Sequence, residues 1–127
     1  MRTIGISILV LGLTACSSGE RSYEMTKEQA RGKLMTAKFE KGILPGSSSL
    51  TPRVKRDFNG NPEWHVLSKD DGHGSGWWCP LSIEPASEDG KRVKVVNKCD
   101  GLMATKDNAN LDELVDATLT GRKPKFD

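Results

Sequence analysis

No stretch of this chain is apolar over the roughly 20 residues that a helix needs to cross a bilayer. The longest apolar run, Ile4 to Leu13, is interrupted by Gly5, Ser7 and Gly12. Charge of one sign is not in excess either: 19 Lys and Arg stand against 17 Asp and Glu. The signs are mixed along the chain without a long block. This balance argues against a nucleic-acid partner bound by phosphate neutralisation. There is no internal repeat, and no phosphate loop, dinucleotide fingerprint or haem-attachment motif, so no cofactor is expected. His65, His73, Asp70 and Asp71 are residues of metal-ligating type. Their spacing lacks the close, regular pairs of zinc sites, so a solvated loop is expected and no metal. Gly74-Ser75-Gly76 lacks the strand-to-helix elbow of hydrolases. Asp70 and Asp71 are adjacent instead of facing across a cleft, which leaves general acid-base work unsupported. The chain is therefore expected not to be an enzyme.

Cysteine is scarce and odd in number: Cys16, Cys79 and Cys99. An odd thiol in an exported protein needs an explanation, and the N-terminus supplies both the export and the explanation. Arg2 gives a positive start, the apolar run follows, and Ala15 places a small residue before a cut. Charge, length and flank are those of a secretory signal. The stretch Leu13-Thr14-Ala15-Cys16, followed at once by Ser17-Ser18-Gly19, resembles the lipobox of bacterial lipoproteins. The resemblance is confined to this N-terminal stretch. It implies that residues 1–15 are removed as a signal peptide and that Cys16 becomes an acylated N-terminus. Each buried methylene contributes ~0.8 kcal/mol, so more than one acyl chain anchors stably. The resemblance further implies a lipid-anchored envelope protein facing the periplasm. Ser17, where Asp would retain it, implies the outer membrane in a cell that has two. With Cys16 acylated, Cys79 and Cys99 remain as a pair, and export places them where a disulfide persists.

Residues 16–24 read as a short lipidated tether made flexible by Ser and Gly, 25–121 as a single domain, and 122–127 as a mobile basic tail. Thr26-Lys27-Glu28-Gln29 matches a capping box. It predicts a helix from about Lys27 to Glu40, with Ala30, Leu34 and Ala37 on its apolar stripe and Gly42 as its stop. Thr51 to Phe58 alternates as a half-exposed strand. A wide loop through Asn59-Gly60-Asn61-Pro62 is expected to set Phe58 near Trp64. The second strand, Glu63 to Lys69, places Trp64 and Val66 on one face and His65 and Leu67 on the other. Beyond a Gly-rich loop, the third and fourth strands form a hairpin about Glu88-Asp89-Gly90. Centring it at Asp89 sets Cys79 opposite Cys99, Leu81 opposite Asn97 and Ile83 opposite Val95. The other face pairs Pro80 with Lys98, Ser82 with Val96 and Glu84 with Lys94. Directly opposed residues lie about 4.5–5.5 Å apart, within disulfide reach, and a slip of one residue would separate the cysteines. Asn110-Leu111-Asp112-Glu113 predicts the start of the last helix. Its stripe is Leu111, Leu114, Val115 and Leu119, and Gly121 ends it. The expected fold class is α+β: a four-stranded antiparallel meander flanked by an N-terminal and a C-terminal helix, with one disulfide.

Trp78 is the residue singled out for binding. Strand neighbours alternate faces, so Trp77 joins Cys79, Leu81 and Ile83 in the core. Trp78 joins Pro80, Ser82, Glu84, Lys94 and Lys98. A Trp on a polar, basic face suits an anchor for a protein partner, unless the tail or the Gly-rich loop folds over it. Three functions follow, in order. The first is a small binding or accessory module of the envelope. The second is an inhibitor of a cell-wall hydrolase. Small disulfide-bonded envelope lipoproteins include lysozyme inhibitors, some of which insert a Ser/Gly loop into the enzyme, and Ser75-Gly76 resembles such a loop. The third is a hydrolase using His73, Ser75 and a carboxylate. Trp78, His73 and Ser75 are thus the candidate partner-binding residues.

Overall fold

The structure, a computed structural model, describes residues 21–69 and 74–126. Cys16 with the signal stretch, and Asp70, Asp71 and His73, lie outside the described residues. The elements in chain order are β1 (Ser22–Tyr23), α1 (Lys27–Thr36), β2 (Thr51–Arg56), β3 (Pro62–Leu67), β4 (Gly76–Pro85), β5 (Val93–Asn97) and α2 (Ala104–Thr120). All strands pair antiparallel in one sheet of order β1-β5-β4-β3-β2. The class is α+β as expected, but the sheet has five strands instead of four. No described helix is long and apolar enough to cross a membrane.

The extra strand lies within residues 16–24, read above as tether. Two residues carry no readable alternation, and tertiary partners hold them instead. Tyr23 is buried and donates its hydroxyl to Asp116 Oδ1 at 2.9 Å. Ser22 Oγ accepts from Arg92 Nε and Nη2 at 3.2 and 2.9 Å.

The capping box of α1 forms in both directions. The Gln29 amide donates to Thr26 Oγ1, and the Thr26 amide donates to Gln29 Oε1. The helix stops at Thr36, short of Glu40. Thr36 Oγ1 donates to the Gly32 carbonyl at 2.8 Å, and Ala37 is already extended at φ −66°, ψ 139°. This early exit lets Phe39 pack on Trp64, ring centroids 5.8 Å apart.

The β2–β3 connection is the expected wide loop, from Asp57 to Asn61. Asp57 Oδ1 accepts from the amides of Asn59 and Asn61 at 2.8 and 2.9 Å, an Asx arrangement that organises the turn locally. Phe58 does not reach Trp64. It is fully exposed at the tip, and Val54 stands opposite Trp64. The β4–β5 hairpin takes the expected register, with Leu81 opposite Asn97, Ser82 opposite Val96, Ile83 opposite Val95 and Glu84 opposite Lys94. Cys79 and Cys99 form a disulfide with Cα atoms 4.8 Å apart.

The last helix begins at Ala104, so Asn110 lies inside it and caps nothing. Asn108 explains the earlier start. Its Oδ1 accepts from the Cys99 amide at 2.9 Å and its Nδ2 donates to the Cys99 carbonyl at 3.2 Å. The first turns are thereby fastened to the chain leaving β5. Gly121 caps the helix in the left-handed region, φ 73°, as its conformational freedom allows. The following tail is docked, not loose. Arg122 donates to Glu113 and Asp116, and the Lys125 amide donates to Glu113 Oε2. Phe126 packs against the core.

Candidate functional site

The two faces of the sheet differ. Val54, Trp64, Val66, Cys79, Leu81, Ile83 and Val93 point to one side and form the core with Leu34, Leu111, Leu114 and Val115 of the helices. Side-chain alternation sends the intervening residues to the opposite face. There the register aligns Arg53, His65 and Trp78 in one row, Lys55, Glu63 and Pro80 in the next, then Ser82 with Val96 and Glu84 with Lys94. Thr51 and Leu67 are buried at its lower edge. Trp78 stands out: it is 58 % exposed, whereas Trp64 is fully buried and Trp77 half-buried. Neither the described tail nor the Gly74-Ser75 turn covers it.

The surroundings of Trp78 are polar and ordered. His65 meets its ring edge-on, centroids 6.1 Å apart and planes at 84°. His65 Nε2 lies 3.0 Å from Glu63 Oε1, so the carboxylate orients the imidazole. Further up, Ser82 Oγ donates to Glu84 Oε2 at 3.0 Å, and Lys94 lies 4.0 Å from the same carboxylate. Pro80 and Lys98 are exposed beside Trp78's strand. A rigid aromatic anchor ringed by satisfied polar groups is suited to protein recognition. The chemistry it offers is contact area, a ring face and charge.

A second polar cluster fastens the edge of the fold. Trp64 Nε1 donates to Asn97 Oδ1, and Asn97 Nδ2 donates to Asp112 Oδ1, both at 2.7 Å. One helical turn further along, Asp116 receives Tyr23, Arg21 and Arg122. Burial works to raise the Asp116 carboxyl, but hydrogen bonds from Arg122, Tyr23 and Arg21 outweigh it and hold it below the ordinary range. Asp112 goes the other way: desolvation pushes it up against the hydrogen bond from Asn97. Burial, and then Asp116, push the Tyr23 phenol far up. Between β5 and α2, Tyr23, Asn97 and Asp112 line a cleft of about 290 Å³ with Arg21, Val95 and Ala109. Every polar group named there has a protein partner, so we read it as the clasp for β1 and α2.

The candidate residues separate as follows. Cys79 and Cys99 are joined. Trp78 lies on the helix-free face with His65, a residue that the sequence marks only as of metal-ligating type. Ser75 is exposed at the base of the β3–β4 turn, where its amide donates to Ser68 Oγ and its carbonyl accepts the Ser68 amide. Its described hydrogen bonds run through the backbone. Cys16 and His73 lie outside the described residues. Among the described residues, no three His, Cys, Asp or Glu side chains gather as a metal site. Sequence reasoning missed the Asn97–Asp112 and Asp116 clasps. The one signal was the placement of acids at positions 112, 113 and 116 of the final helix, three and four residues apart on one face.

No family model, no curated protein and no solved structure matches this chain.

Proposed function

We propose that the mature protein is a lipid-anchored, non-enzymatic module of the bacterial envelope. It binds a protein partner through the helix-free sheet face centred on Trp78. The observation that carries the reading is the 58 % exposure of Trp78 on an ordered polar face. Trp is enriched at interface hot spots. The lipobox-like stretch ending at Cys16 and the disulfide support an envelope location. Two measurements test it. The membrane-extracted protein should have a mass lacking residues 1–15 and raised by acyl chains, with two thiols labelled only after reduction. Trp78→Ala should abolish recovery of the cross-linked envelope partner while leaving the fold intact; unchanged recovery sinks the binding claim.

The exposure of Ser75 and its clamp to Ser68 favour a second reading, inhibition of a cell-wall hydrolase of the lysozyme type. Full lysozyme activity in the presence of excess protein removes it.

A further inference from the structure

Two large apolar side chains stand exposed in one place. Leu102 is completely exposed and Met103 is 57 % exposed, next to each other at the start of α2. Neither serves the sheet face described above. Their position along the molecule follows from three contacts of α2. Asn108 bonds the chain at Cys99, Asp112 bonds Asn97, and Asp116 bonds Tyr23. The helix therefore runs from the disulfide end of the sheet toward the opposite end, and Leu102 and Met103 form its tip at the disulfide end.

The direction of β1 connects this tip to the membrane. β1 runs antiparallel to β5, with Ser22 opposite Lys94 and Tyr23 opposite Val93. Moving backward from Ser22 to Arg21 therefore heads along β5 toward Asn97 and Cys99. At Arg21 the backbone is thus directed toward the disulfide end. Four residues separate Arg21 from Cys16, a reach of at most about 18 Å. Arg21 is tied to Asp116 at 2.7 Å, so an acyl group on Cys16 keeps this edge of the fold within that reach of the bilayer. Phe58, also fully exposed, sits on the β2–β3 turn at the opposite end.

We propose that Leu102 and Met103 dip into the acyl boundary of the bilayer that holds the lipid anchor. The domain then stands with its strands upright and the Trp78 face turned sideways, toward partners in the same membrane. The occupant is the lipid surface itself. Paired exposed apolar side chains gain by entering the headgroup and acyl boundary. Among the described residues, Lys69, Lys98 and Lys106 near this end stand against Asp100 and Asp107, too small an excess of positive charge to replace the apolar contact. This proposal rests on the acylation of Cys16 proposed above.

The test uses the acylated protein, extracted from membranes and reconstituted in phosphatidylcholine vesicles that carry bromine on the acyl chains. Leu102→Trp and Phe58→Trp each add one exposed indole at opposite ends. The expected result is loss of the added Leu102→Trp emission, stronger with shallow than with deep bromine, and no loss for Phe58→Trp. The pattern should persist in high salt. An acylated protein whose Leu102→Trp emission is unquenched, or whose Phe58→Trp emission is quenched, overturns the docking and leaves the anchor standing. An unacylated mass overturns both. Dimerisation in detergent that is lost in Leu102→Asp with Met103→Asp would assign the tip to a second copy, and would also overturn it.

Discussion

Trp78 and Asp116 show how differently single residues serve this protein. Trp78 is mostly exposed, so Trp78→Ala is expected to change stability by no more than about 0.5 kcal/mol. Urea titration of the variant checks this, and it separates lost binding from lost folding. Asp116 is the opposite case, a carboxylate that gathers Tyr23, Arg21 and Arg122. Removing one of these donors, as in Tyr23→Phe, is expected to cost about 2 kcal/mol, because the bond is to a charged group. Asp116 is held below its unfolded value. Its stabilisation is therefore present above that value, near pH 4, and is lost as pH falls through the folded value. Asp112 has the opposite sign. Its raised value means that its contribution is present at low pH and is lost as pH rises through the folded value. Above about pH 5, Asp116→Asn should destabilise the fold, and Asp112→Asn should be neutral or stabilising. Urea midpoints measured from neutral to acid pH read both signs.

At the scale of elements, the two hairpins are the firmest part. Reducing the Cys79–Cys99 bond, which closes a separation of 20 residues, should cost about 3 kcal/mol by the chain-entropy estimate. Comparing urea unfolding with and without reductant measures it. Gly76 is the tightest point of the β3–β4 pair. Its φ is 154°, and an added Cβ would meet the Val66 carbonyl oxygen at 2.0 Å. Gly76→Ala is expected to cost more than about 1 kcal/mol and to loosen the pairing of Gly76 with Leu67, seen as faster amide exchange in β3. What the sequence made legible follows from local physics. The capping box, the alternation of β3 and β4, and the shared register of turn, charges and cysteines each determine structure within one element or hairpin. What it hid depends on distant partners. Ser22 and Tyr23 become a strand only because Asp116 and Arg92 receive them. The last helix starts early only because Asn108 mimics a strand partner for Cys99. The tail docks only because Glu113 and Asp116 accept Arg122. Phe58 was misplaced because Asp57 organises the loop by its own hydrogen bonds and leaves the ring outside. The Trp78 face was readable because alternation alone decides it. His65 as its neighbour was not, because that requires the β3–β4 register.

For the whole molecule, the account joins an anchor, an orientation and a face. Helices cover one side of the sheet, and the clasp of Asp112 and Asp116 keeps β1 and α2 fixed to its edge. The remaining side, with Trp78 exposed on it, is the face proposed above to receive a partner. Site-specific photocross-linking in intact membranes tests this most directly. A photoreactive side chain at Pro80, exposed next to Trp78 on the same strand, should give one discrete adduct, and Trp78→Ala should abolish it. A probe at the exposed helix position Thr105 should give no such adduct. No adduct from Pro80, or the same adduct after Trp78→Ala, would contradict the account.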